Sequence, residues 1–74
     1  MNSEVKLDAR GLEPPEPMER VLVALSQLKL GTTLSMLIDR EPRPLFRILE
    51  KNGFDWEVKT GPEYSFEVRI WHKA

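Results

Sequence analysis

Two short stretches hold most of the side chains that could do chemistry. The first runs from Leu7 to Pro17 and carries Asp8, Arg10, Glu13 and Glu16 around Pro14, Pro15 and Pro17. The second runs from Asp39 to Leu45 and carries Asp39, Arg40, Glu41 and Arg43 around Pro42 and Pro44. Glu13, Glu16, Asp39 and Glu41 form an oxygen-only set that would suit a hard cation, but their spacing matches no metal loop. Arg40 and Arg43 beside a helix start could gather a small anion, with the four carboxylates working against it. A proline-stiffened turn of mixed charge also suits a protein partner, because a backbone already fixed has little entropy left to lose on docking. The same residues serve equally well with no ligand at all. Aspartate accepts turn and cap hydrogen bonds, proline fixes a first helical turn, and exposed ion pairs contribute only about 0–1 kcal/mol.

Other chemistries find less support. The chain has no cysteine, which removes thiol nucleophiles, disulfides and thiolate metal sites. The one histidine, His72, is expected to be a solvated residue near the chain end, and no serine has a histidine partner implied by its position. Acid–base work by paired carboxylates would need a nucleophile, a nucleotide loop or an enclosed pocket beside them. A small chain offers little volume for such a cavity. Eleven basic and twelve acidic residues give a formal charge of −1, so neither nucleic acid nor an anionic membrane is attracted. The apolar stretches are too short to span a bilayer. The first residues, Met-Asn-Ser-Glu-Val-Lys, lack the layout of a signal peptide, and a cytoplasmic protein is expected.

The elements that must position these residues follow from periodicity. Glu4 to Asp8 alternates, with Val5 and Leu7 facing one way, as in a half-buried strand. Gly11 supplies a turn, and Pro15 or Pro17 occupies the first turn of a helix whose apolar stripe is Met18, Val21, Leu22, Leu25 and Leu28. Gly31 is its expected C-terminal stop. Thr33 to Asp39 is a second strand, and Leu37 on the face opposite Leu34, Met36 and Ile38 marks it as interior. Glu41-Pro42-Arg43-Pro44 then launches a helix with Leu45, Ile48 and Leu49 inward and Phe46 at the margin, closed by Asn52-Gly53. Phe54, Trp56 and Val58 define a third strand, and Tyr64, Phe66, Val68 and Ile70 a fourth. Trp56 falls on the apolar side; Trp71 falls on the opposite side with Arg69, as a partner contact or a rim residue folded over its neighbours.

The order βαβαββ makes a two-layer α+β sandwich, its right-handed crossovers placing both helices on one face. Lys6, Ser35, Glu57, Lys59, Glu67 and Arg69 would line the open face. Parallel strands in a βαβ unit bring both proline turns to one sheet edge, where ligands of such folds collect. That edge gathers Asp8, Arg10, Glu13, Pro14, Pro15, Glu16, Asp39, Arg40, Glu41 and Arg43, with Arg47 adjoining.

Leu7, Asp8, Gly11, Leu12, Pro15 and Pro17 resemble the signature Leu-Asp-x-x-Gly-Leu-x-Cys-Pro-x-Pro of the TusA/SirA-like sulfur-carrier domains, with Pro14 at the cysteine position. The pairing of Pro-Pro-Glu-Pro with the second motif, Asp39 to Leu45, is more similar to a cysteine-lacking branch classed as a domain of unknown function. One domain over 1–74 is expected, with residues 1–3 disordered, and the resemblance adds a four-stranded mixed sheet in the order 1-2-4-3. Persulfide transfer is defeated by Pro14, which offers neither sulfur nor a backbone donor. What the resemblance implies is an accessory, non-enzymatic protein-interaction domain in bacterial redox or sulfur metabolism. The other reading is a binder of small anions or metabolites at the helix N-termini. No catalytic residue, metal or cofactor is expected, and the chain is expected to be a monomer with a protein partner.

Overall fold

The computed structural model describes residues 3–73. The chain runs β1 (Ser3–Asp8), α1 (Glu16–Ser26), β2 (Thr32–Ile38), α2 (Arg43–Lys51), β3 (Phe54–Thr60) and β4 (Phe66–His72), with a 3-10 turn at Pro62–Tyr64. The strands form one mixed sheet in the order β1-β2-β4-β3, as expected. β1 pairs parallel to β2, and β4 runs antiparallel to both β2 and β3. Met1 and Asn2, expected to be disordered, lie outside the described residues; Ser3, grouped with them, is already paired with Thr32.

Alternation puts Leu34, Met36, Val68 and Ile70 on one face of the two central strands, where all four are fully buried. Val21 and Leu25 of α1 and Leu45 and Leu49 of α2 close the same cluster, so one stripe from each helix covers one side of the sheet. Phe46 of α2 stacks on Trp56 of β3, ring centroids 5.4 Å apart, at the margin of this core. The opposite face carries charge. The rung Lys6, Ser35, Arg69 and Glu57 crosses all four strands. Ser35 donates to Glu67, and Arg69 pairs with Glu4 at 3.2 Å. Long charged side chains thereby cover Ser35, which is buried rather than open to solvent.

Position in the sheet alters several expectations. Val5 is 47% exposed although its parity is apolar: β1 is an edge strand, and Val5 is not among the residues packed on the core cluster. α1 ends at Ser26, five residues short of Gly31. Ser26 donates its hydroxyl to the Val23 carbonyl, and the amides of Gln27 and Leu28 take the carbonyls three residues back, tightening the chain out of the α form. Leu28 is buried from that turn, not from the helix, and Leu22 is largely exposed. Gly31, with φ +86, is the third residue of the turn closed by the Thr32 amide and the Lys29 carbonyl. Gly53, with φ +78, follows α2 as expected.

Tyr64 and His72 also fall elsewhere than expected. Tyr64 does not begin β4. It projects from the β3–β4 connection, wholly exposed. His72 is half-buried: its Nε2–H donates to the Leu28 carbonyl at 2.7 Å, and its ring packs on Phe54. Since a carbonyl only accepts, that contact fixes the proton on Nε2.

Candidate functional site

The site grows from the carboxyl ends of β1 and β2. Pairing continues one residue past β1, where the Ala9 amide donates to the Leu37 carbonyl at 2.8 Å, and Ala9 is buried. Gly11 then turns the chain with φ +76. Its amide donates to Asp39 Oδ2 at 2.6 Å, so the residue just after β2 holds the turn that follows β1. This is the direct bond that joins the two proline turns across 28 positions of sequence.

Between the turns lies an open groove of about 490 Å³. Ala9, Leu12, Met18, Ile38 and Pro42 give it an apolar floor, and Pro14, Pro15 and Pro17 form one wall. Glu13, Asp39, Arg40 and Glu41 supply its charged groups. The volume is in the range of small-molecule sites, roughly 300–1,000 Å³, but the groove is not closed over.

Six of the ten sequence-selected residues line this groove: Glu13, Pro14, Pro15, Asp39, Arg40 and Glu41. The other four are turned away. Asp8 has the parity of the open sheet face and receives three hydrogen bonds from Arg10, the two from its guanidinium at 2.9 and 2.8 Å. Those bonds to Arg10 draw the Asp8 carboxyl from 3.8 down to about 2, and the carboxylate in turn raises Arg10. Glu16 pairs with Arg20 one helical turn on, at 2.9 Å. Arg43 pairs with Glu41 at 3.2 Å and is otherwise in solvent, its side chain 83% exposed. Arg47 is likewise exposed on α2 and outside the groove.

The helix starts are poor in donors. Pro15, Pro17, Pro42 and Pro44 have no N–H. The Glu16 amide is given to the Glu13 carbonyl, Arg43 to Glu41 and Leu45 to Pro42. Over the cap and first three residues of both helices, Met18 alone remains as a possible backbone donor to a ligand. An anion held by a helix N-terminus needs several such amides together, so the arrangement works against the anion reading. Among the described residues, no three acidic or histidine side chains come together as a metal site would require.

Sequence reasoning missed the third element at this edge. Because β4 runs antiparallel to β2, the β3–β4 connection emerges beside the carboxyl ends of β1 and β2, and Phe66 pairs with Ile38 on the groove floor. The connection is tightly built. Gly61 donates to the Ser65 carbonyl at 2.8 Å, and the buried Ser65 hydroxyl donates to Pro62 at 2.6 Å. Glu63 and Tyr64 both take left-handed backbone, φ +53 and +62, at a cost of about 1–2 kcal/mol each for residues with a Cβ. The strand order alone would have placed this loop at the edge; Tyr64 shares the parity of Phe66, Val68 and Ile70, so alternation assigned it to the strand instead.

Residues 6–72 match the model of a family described as uncharacterized conserved protein, DUF2249. The chain belongs to this family. In three dimensions the DUF2249 chain is similar to the crystal structure of a SirA-like protein from Desulfitobacterium hafniense, with a TM-score of 0.80 and 26% sequence identity. The likeness covers 95% of this chain and 99% of that one, so the SirA-like fold extends over nearly the whole length. No curated protein matches the sequence. No helix among the described residues is long and apolar enough to cross a membrane.

Proposed function

We propose that this chain is a non-enzymatic interaction module, a cysteine-free relative of sulfur carriers that takes a segment of a partner protein into the groove between its two proline turns. The observation that carries the reading is the groove itself: an apolar floor walled by prolines at the sheet edge where ligands of such folds collect. Catalysis has little to draw on there. The chain has no cysteine, and its one histidine lies at the opposite end of the sheet, bonded to Leu28. The groove carboxylates stand in solvent, without the burial that tunes an acid or base. Prolines, by contrast, hold a binding surface in shape before the partner arrives and lower the ordering cost. The resemblance to carriers supports an accessory role in bacterial redox or sulfur metabolism, in the cytoplasm. The small-anion reading loses its donors to proline and to internal hydrogen bonds.

The test exchanges two of the exposed charges of the groove, Glu13→Lys with Arg40→Glu, which leaves the formal net charge unchanged. Partners captured by wild type from native lysate would be purified and titrated against both proteins, with thermal melts of each. Loss of binding at an unchanged melting temperature supports docking in the groove. A partner that binds both proteins equally well would remove the groove from the interaction. A melting temperature that rises with phosphate or sulfate, in wild type but not in the variant, would restore the anion reading.

A further inference from the structure

The β3–β4 loop and the groove share one edge, and their linings meet at a cross-strand pair. Ile38 on the groove floor is paired with Phe66, which lines a second hollow with Gly61, Glu63, Tyr64 and Ser65. Arg10 lines neither hollow but is near enough to feel the charges of both Glu63 and Asp39. The charged residues of the two linings are Glu13, Asp39, Glu41 and Glu63 against Arg40, four carboxylates to one guanidinium. Arg43 offsets Glu41, and Arg10 is committed to Asp8, so the excess of negative charge stays with Glu13, Asp39 and Glu63.

We propose that the docking face comprises the groove and the Tyr64 loop together, and that its partner is a basic segment of another protein: an apolar side chain seated on Leu12, Met18 and Ile38, with a neighbouring lysine or arginine held by Glu13, Glu63 and the Tyr64 ring. The inference rests on the docking function proposed above and names the chemistry of its partner. Tyr64 contributes nothing to the core that repays its backbone conformation, since it is wholly exposed. The loop beneath it is nonetheless fixed by the Gly61, Pro62 and Ser65 hydrogen bonds, so the ring is presented from a rigid base. A phenol ring beside carboxylates attracts a cation from both its face and its charged neighbours. The excess of carboxylates repels an acidic or phosphorylated segment.

A random peptide library displayed on phage, selected on the immobilised full chain, tests this directly. The enriched peptides would be synthesised with a fluorescent label and titrated by anisotropy against wild type, Tyr64→Ala, Glu13→Lys with Glu63→Lys, and Leu12→Glu. Enriched sequences should combine an apolar residue with lysine or arginine and weaken as salt is raised. Tyr64→Ala and the double charge reversal should each weaken them about ten-fold or more, the loss expected of one anchor. Both changes fall on exposed side chains, so melting temperatures should hold. Acidic or uncharged peptides that need Leu12 but ignore Glu13, Glu63 and Tyr64 would overturn the basic partner while leaving groove docking intact. Peptides indifferent to Leu12 as well, with a folded variant shown by its melt, would overturn both.

Discussion

The hydrogen bond from the Gly11 amide to Asp39 makes the strongest demand on this structure, because it ties together two turns that belong to different βα units. Asp39→Ala removes the acceptor and its charge. A hydrogen bond to a charged group contributes roughly 1.5–3 kcal/mol, and a neutral one roughly 0.5–1.5. Both partners here are exposed, so water can replace the carboxylate at the Gly11 amide, and the expected loss is about 1 kcal/mol. For a domain of 74 residues that corresponds to a fall in melting temperature of about 4–8 °C. Asp39→Asn keeps an oxygen in the same place without the charge and should recover about half of the loss. Thermal melts by circular dichroism measure the order wild type, Asn, Ala. A proton–nitrogen correlation spectrum checks the cause, since the Gly11 amide should move upfield in the alanine variant. If Asp39→Ala melts within about 1 °C of wild type, or if Asn is no better than Ala, the two turns do not depend on this bond. Should the melt fall as expected, peptide affinity should fall further than stability, because the bond joins the two turns that flank the groove.

Two further outcomes test other parts of the edge. The Asp8 carboxyl is depressed to about 2 in the folded chain by Arg10, from an ordinary 3.8. A depressed acid stabilises the fold above its unfolded pKa, and the contribution fades as pH falls between those two values. The pair stands in solvent, so the effect is small and screened by salt. Asp8→Asn should flatten the acid limb of stability from about pH 4 downward, measured by urea unfolding at a series of pH values. An unchanged limb would mean that Asp8 and Arg10 do not hold together in solution. At the β3–β4 loop, a Cβ on Gly61 would stand 2.7 Å from the Ser65 hydroxyl, which is itself held by Pro62. Gly61→Ala should cost about 1–3 kcal/mol, as overpacking does. The double variant with Ser65→Ala should be less unstable than the sum of the two single changes, which a double-mutant cycle in urea reads as coupling. Strict additivity would show that the loop accommodates the methyl by moving.

Periodicity made the inward faces legible, because a strand alternates and a helix repeats wherever one side is covered. Leu34, Met36, Val68 and Ile70 were assigned to the core by parity alone, and all four are buried. Parity tells which way a side chain points but not whether anything lies over it. Val5 shares the inward face and is half exposed, on an edge strand at the border of the core. Leu28 shows the reverse, buried from a turn after the helix has ended. At the candidate site, the two proline turns could be brought to one edge from the βαβ order. The bond between them could not, because Gly11 and Asp39 carry no mark of pairing across so long a separation. His72 was misread for the same reason: the carbonyl it binds, that of Leu28, is 44 residues away in the chain.

The prolines at this edge share one physical direction. A carrier thiol at a helix start is activated by the amides and positive dipole end around it, which hold the thiolate. Here Pro14 stands at the cysteine position of the signature that this turn resembles; Pro15 and Pro17 are shared with that signature, and Pro42 and Pro44 remove amides from the second helix start. The amides of Glu16, Arg43 and Leu45 are turned to carbonyls of their own turns. An edge that only has to keep its shape can do without such donors, and gains from prolines that narrow its unfolded and unbound alternatives. What remains is a stiff concave surface with an apolar floor, surplus carboxylates and an exposed tyrosine. Those are the features on which the proposed docking of a protein segment rests.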